Sequence, residues 1–132
     1  MDAIIFTRDD GEYAWLEAVL EAEAGLIDID RAPLNGHKRY DHEYDVVIVA
    51  IEGAEGMEVV LEYSQRFEET QIIWVTSDSY FAGMAMRNHI YDFIVRPYEP
   101  ERIQTSIRDV LPRCVNRNRF IMIPKRERKS AE

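Results

Sequence analysis

Five consecutive apolar residues, Val46-Val47-Ile48-Val49-Ala50, constrain this chain more than any other feature. A strand with one face in water alternates apolar with polar residues. An unbroken, mostly β-branched run belongs instead to a strand covered on both faces, as in a parallel sheet flanked by helices. The rest of the chain agrees, because apolar runs of strand length alternate with segments of helical periodicity, the pattern of βα units wound around a parallel sheet.

Ala3 to Thr7 reads as the first strand, and Glu12 to Glu23 as a helix with Leu16, Val19, Leu20 and Glu23 recurring at helical spacing. Leu26 to Ile29 reads as a short second strand. Pro33 to Tyr44 holds Asn35-Gly36 and clustered charges, so a helix there is expected to be short or irregular. Val46 to Ala50 is the third strand, followed by a helix over Gly56 to Phe67 with Met57, Val60, Leu61 and Phe67 turned inward. Gln71 to Thr76 is the fourth strand, and Ser77-Asp78-Ser79 supplies caps for a helix from about Tyr80 to Asn88. Tyr91 to Val95 is the fifth, stopped at Arg96-Pro97 because proline cannot donate to a ladder. Pro100 suits a first helical turn, and Ile103, Ile107 and Leu111 form the stripe of the last helix. The expectation is an α/β fold with a doubly wound five-stranded parallel sheet and about five helices. At 132 residues the chain suits one such domain.

Charge divides the chain. Up to Leu111 nine Lys/Arg face 23 Asp/Glu, whereas from Pro112 onward there are seven against two. The acidic body argues against a phosphate-binding surface on the main domain, and the basic tail is where a linker or an approach to nucleic acid is sought. Cys114 is the only cysteine, which excludes an internal disulfide and a thiolate zinc site. His37, His42 and His89 lack metal-ligand spacing and are expected to be solvated or capping. No apolar run approaches the roughly 18 residues of a membrane span, and the first residues do not resemble a signal peptide, so a cytoplasmic chain without a membrane partner is expected. No Gly-rich phosphate loop or nucleophile elbow is present, and neither catalysis nor a cofactor nor a metal is expected.

Three segments together are specific. Ala50-Ile51-Glu52 with Gly56-Met57-Glu58-Val59, Val75-Thr76-Ser77 with Tyr80-Phe81-Ala82, and Tyr91-Asp92-Phe93-Ile94-Val95-Arg96-Pro97-Tyr98 with Glu101-Arg102-Ile103 resemble the receiver domains of bacterial response regulators. The likeness is greatest to receivers that precede a LytTR-type DNA-binding domain, and it covers residues 1–111. It implies a flavodoxin-like fold with strand order 2-1-3-4-5. It also implies a pocket at the carboxyl ends of the strands, where a receiver holds an acidic metal-binding pair, an acceptor aspartate, a hydroxyl and a lysine. Those groups neutralise a phosphoryl group during its transfer.

This chain departs from that pattern at three points. The acidic pair falls on Arg8-Asp9, or on Asp9-Asp10 if the loop slips by one residue. The acceptor is Ala50 and the lysine is Arg96; Thr76 alone is unchanged. The Met-Pro pair that receivers carry between Glu52 and Gly53 is missing, which shortens the loop over the pocket. A methyl cannot accept a phosphoryl group, and a cation at Arg8 repels magnesium, so both departures point to a degenerate pocket, a pseudo-receiver. Arg8 or Arg96 is expected to pair with Asp9, because an unpaired desolvated cation is costly. Glu52 lies in the loop beyond Ala50 and is not expected to carry a phosphoryl group.

Phe93 matches the switch aromatic of receivers, although an aromatic in a strand is also simply core. Related receivers pair through the face corresponding to the helix after strand four, strand five and the last helix. Here that face offers Met84, Arg87, Tyr98, Arg102, Arg108 and Asp109, whose mixed charges suit a two-fold contact. The tail from Pro112, with a short strand expected over Phe120-Ile121-Met122-Ile123, reads as a linker and the start of a C-terminal DNA-binding domain outside this chain. The resulting expectation is a regulatory module of a response regulator. It controls transcription as a homodimer, or through a histidine kinase or another protein partner, without phosphoryl chemistry. The alternatives are a free-standing interaction module, an atypical phosphoacceptor, and a nucleotide- or other small-ligand-binding α/β domain.

Overall fold

The computed structural model describes residues 1–25, 27–34 and 40–114 of the chain. Five parallel strands, β1 (Asp2–Thr7), β2 (Asp28–Arg31), β3 (Val46–Ala50), β4 (Gln71–Thr76) and β5 (Asp92–Val95), lie in the order β2-β1-β3-β4-β5. Helices α1 (Asp10–Ala24), α2 (Gly53–Arg66), α3 (Ala82–Arg87) and α4 (residues 100–114) cover the two faces, and a single 3-10 turn, Ser79–Phe81, leads into α3. This is the doubly wound, flavodoxin-like arrangement expected from the sequence.

The strands split their side chains between two cores, as the period of two in a strand requires. Ala3, Ile5, Val46, Ile48, Ala50, Ile73 and Val75 face Leu16 and Leu20 of α1 and Ile103 and Ile107 of α4. Ile4, Phe6, Val47, Val49, Ile72 and Trp74 face Val59, Val60 and Tyr63 of α2 and Ala85 of α3. Every residue of β1 and β3 is buried, which accounts for the unbroken apolar run.

Four expectations need correction. Strand two runs two residues later than Leu26 to Ile29, because the edge strand is mostly exposed and polar, and the apolar cue Leu26-Ile27 precedes it. No helix forms in the described part of the β2–β3 connection, which has no apolar stripe of helical spacing; residues 35–39, with Asn35-Gly36 and His37, lie outside the described residues. The inward face of α2 is Val59, Val60 and Tyr63, while Met57, Leu61 and Phe67 are only partly buried. Tyr63 replaces Leu61 there because its ring meets Phe6 at 5.9 Å and Tyr40 at 5.4 Å between centroids. The last helix continues past Leu111 to residue 114, where the buried Cys114 thiol contacts the Asp45 carbonyl. The strand expected over residues 120–123 and the basic tail lie outside the described residues.

Gly56 explains one sequence motif in steric terms. A Cβ on this first-turn residue of α2 would stand 2.0 Å from the Ile51 carbonyl oxygen, so the helix packs this closely to the end of β3 only without a side chain. Gly53, at the start of α2, has a φ of 69°, which a glycine adopts without strain. Between Ala50 and Gly53 only Ile51 and Glu52 remain, and this brevity sets what overhangs the strand ends.

Candidate functional site

The carboxyl ends of β1 and β3 and the residue after β5 line a cleft of about 350 Å³ that includes Thr7, Arg8, Glu12, Ala50, Glu52 and Arg96. Clefts at the carboxyl ends of parallel strands are where open α/β sheets place their working groups. Arg96 lies at the centre. It directly follows β5, and its backbone N–H donates to the Thr76 carbonyl at 2.8 Å, which fixes where the side chain starts.

The Arg96 guanidinium is held by two carboxylates from different elements. Nη2 donates to both oxygens of Glu12 at 2.7 and 2.8 Å, and Nη1 donates to Oε2 of Glu52. Burial works against the Arg96 cation, yet the contacts with Glu12 and Glu52 outweigh it and push its pKa above the ordinary arginine value. Glu12 is nearly enclosed. It also accepts from the Thr7 hydroxyl at 2.8 Å and from the Tyr98 hydroxyl at 3.1 Å. Burial, with the Glu12 carboxylate second, pushes the Tyr98 phenol up to about 12, so Tyr98 remains a donor at neutral pH.

Glu52 is the N-cap residue of α2 but makes no capping bond with its side chain. It turns back over the strand ends instead. Oε1 accepts from the Ser77 backbone N–H at 2.8 Å and from the Thr76 hydroxyl at 3.1 Å, and Oε2 accepts from the Ser77 hydroxyl at 3.1 Å. Burial alone would raise the Glu52 carboxyl, but the Ser77 N–H, the two hydroxyls and the Arg96 guanidinium hold it below the usual glutamate range.

The residues flagged in the sequence do not all meet here. Ala50 and Thr76 do, both buried, with the Ala50 methyl at the end of β3. Neither Arg8 nor Arg96 pairs with Asp9, contrary to expectation. Arg8 reaches across the cleft mouth to Glu55 at 2.6 Å. Asp9 is occupied as the N-cap of α1, accepting from the Glu12 N–H at 2.9 Å. Asp10 turns to the edge strand and pairs with Arg31 at 2.8 Å. The arginines therefore take carboxylates that are not already capping a helix. Among the described residues no group of three or more His, Cys, Asp or Glu is arranged to hold a metal ion.

That Glu12 and Glu52 hold Arg96 was not expected from the sequence. An Asp-x-x-Glu start reads as an ordinary helix cap, and Glu52 reads as a loop acid. The available signal was electrostatic, since two cations at the strand ends require carboxylates and a two-residue loop brings Glu52 within reach.

Phe93 is partly buried in the second core, edge-on to Trp74 at 5.3 Å, and Trp74 lies 5.4 Å from Phe81. The six surface residues named from the sequence are not a common free face. Tyr98 turns toward α1, bonding Glu12 and stacking on Trp15 at 6.1 Å. Arg108 also turns to α1, 3.4 Å from Glu23. Arg102 is bidentate to Asp92 at 2.6 and 2.7 Å. Met84 is half-buried in α3, whereas Arg87 and Asp109 are exposed. His42 is partly exposed, as expected, and its Nε2 also lies 2.7 Å from the Asp2 carboxylate. His89, at φ 55°, follows the end of α3. No described helix is long and apolar enough to cross a membrane.

Solved structures share this architecture. The response regulatory domain of protein mrkE from Klebsiella pneumoniae superposes with a TM-score of 0.70 at 17% identity, over 88% of this chain and 99% of that one. A signal receiver domain of a two-component histidine kinase from Clostridium thermocellum gives 0.67 at 22% identity, over 83% and 96%. An orphan response regulator of H. pylori gives 0.62 at 14% identity, over 86% and 96%. No protein-family model matches the chain. No curated protein matches it either.

Proposed function

We propose that this chain is a degenerate receiver, a regulatory module of the response-regulator type that works without accepting a phosphoryl group. One observation carries the reading: at the end of β3, where an acceptor carboxylate would stand, there is the buried methyl of Ala50, and the strand-five cation above it is bound by the protein's own Glu12 and Glu52. Phosphoryl transfer needs a nucleophile, a metal on carboxylates and a free cation to neutralise the equatorial oxygens. Here the nucleophile is absent, the first loop places Arg8 at the cleft, and Arg96 is already neutralised.

Such a module acts through contacts. Among the described residues the exposed large apolar ones are Tyr80, Met86 and Val95, and all three belong to the stretch from the 3-10 turn through α3 to β5. That stretch supports pairing with a second copy or with another regulator, with DNA reached through a C-terminal domain. Among the alternatives, an atypical phosphoacceptor has little support, since the carboxylates of the cleft are committed to arginines or to the α1 cap. The structure of an H. pylori orphan response regulator, similar in fold, is compatible with this reading.

Incubation of the wild type with acetyl phosphate and millimolar magnesium, followed by intact-mass spectrometry, tests it. An unchanged mass is expected. A stoichiometric gain of one phosphoryl group would overturn the proposal.

A further inference from the structure

Thr76 Oγ1, Ser77 N, Ser77 Oγ and Arg96 Nη1 all donate toward one small volume beyond the ends of β3 and β4. Four convergent donors, one of them cationic and one a fixed backbone N–H, make a receptor for an oxyanion. Its occupant is in the chain. The Glu52 carboxylate accepts from all four, and does so by leaving the N-cap role that its position in α2 would otherwise allow.

We infer that the Glu52 carboxylate is a tethered ligand of this oxyanion site, filling it from within, so that the regulatory event open to the pocket is the withdrawal of Glu52 rather than the arrival of an anion. The inference rests on the degenerate-receiver reading for its regulatory meaning, but the site itself stands on the four contacts. Two further features agree. The two-residue Ile51-Glu52 connection leaves the carboxylate little choice of position, so occupancy costs little conformational entropy. Charge also guards the site: Arg96 with Glu12 is neutral, and Glu52 makes the group net negative, which opposes a second anion. The Arg8–Glu55 pair at the mouth adds no net charge.

The Glu52 side chain is half-exposed, so it can leave without unfolding the core. Once it leaves, the Thr76 and Ser77 donors and one edge of Arg96 face the cleft with no carboxylate between them. Small oxyanions, inorganic phosphate or acetate, then fit where the carboxylate was.

Truncation at Glu52 tests the assignment. Thermal unfolding of wild type, Glu52→Ala and Glu52→Ser is followed against inorganic phosphate, and separately acetate, at constant ionic strength and pH 7.5. The serine variant guards against misfolding because serine suits an N-cap. The truncated variants are expected to gain about 5 °C in Tm at an anion concentration near ten times Kd, while the wild type gains less than about 1 °C. Adding Arg96→Gln to Glu52→Ser should abolish the gain. Two results overturn the inference: equal responses from the wild type and the truncated variants, or no response to either anion, up to tens of millimolar, from either truncated variant. A covalent phosphoryl adduct on the wild type is a separate result, read by mass, and would overturn the degenerate-receiver reading instead.

Discussion

Arg96 Nη2 lies 2.7 and 2.8 Å from the two oxygens of Glu12, a residue 84 positions earlier in the chain. This bidentate pair ties the end of β5 to the first turn of α1 across the ends of β4 and β3. It is also largely shielded, with the Arg96 and Glu12 side chains 24% and 13% exposed. Removing one member leaves a poorly solvated charge, so Glu12→Gln and Arg96→Gln should each cost about 2 kcal/mol, below the range for fully buried pairs because solvent still reaches the guanidinium. The two losses should not add. Urea unfolding of both singles and the double variant should give a coupling of about 1 kcal/mol or more, and additive costs would show that the pair is not a unit.

Low pH should act on the other carboxylate. The Glu52 carboxyl is held below its ordinary value of 4.5, and a carboxyl depressed in the folded state contributes stability above its unfolded pKa that is lost as pH falls through the folded one. The wild type should therefore exceed Glu52→Gln in stability at pH 7, by about 1 kcal/mol or less given the exposure of the group. The gap should close below about pH 4.5. Chemical denaturation at pH 7, 5 and 3.5 measures this, and a gap that widens on acidification would contradict the assignment.

Gly56→Ala places a methyl 2.0 Å from the Ile51 carbonyl oxygen, a backbone atom that cannot swing aside. Overpacking of this kind costs about 2 kcal/mol or more. Because Ile51 adjoins Glu52, the substitution should also loosen the cleft, seen as faster amide exchange at Ser77. A variant as stable as the wild type would show that α2 has room to shift.

Magnesium at millimolar concentration should leave Tm unchanged. Asp9 caps α1 and Asp10 is paired with Arg31 on the edge strand, so no acidic pair remains to hold the ion without breaking one of these contacts. A clear rise in Tm would reveal a metal site formed by rearrangement of that loop.

Much of this was legible in the residues, for identifiable reasons. The limits of β3 and β4 follow from unbroken apolar runs, since full burial leaves a strong signal. The edge strand β2 left little signal, because an edge reads as polar and its exposed residues do not mark its ends. The α2 face was misjudged, as Val59 and the fully buried Tyr63 were passed over for Met57, Leu61 and Phe67, because a tyrosine's polar hydroxyl weakens its apolar signal. At the cleft, Ala50, Thr76 and Arg96 stood out against a familiar pattern, whereas Glu12 and Glu52 did not, because which carboxylate meets a cation depends on three-dimensional reach and not on spacing in the chain.

Association through β5 and α4 is testable despite the intrachain pair. Arg102 already holds Asp92, whose carboxyl burial alone would push up but which the guanidinium keeps below the usual range. A plain Arg102→Glu change would damage the fold, so it is combined with Asp92→Arg, which restores the pair with its polarity reversed. Sedimentation at micromolar concentration should find the wild type a dimer and the swapped variant a monomer. A monomeric wild type, or a dimer indifferent to the swap, would remove this surface from consideration.

The oxyanion site at the strand ends is filled by the protein's own carboxylate, and the Ser77 amide reports it directly. Its proton points at Glu52 Oε1 over 2.8 Å. In a pH titration followed by proton–nitrogen NMR, the Ser77 resonance of the wild type should lie downfield at neutral pH and move upfield with a midpoint below 4.5, the ordinary glutamate value. The same resonance in Glu52→Gln should show no such step. A wild-type Ser77 amide that ignores pH in this range, or that titrates at or above the ordinary value, would mean that Glu52 does not occupy the site.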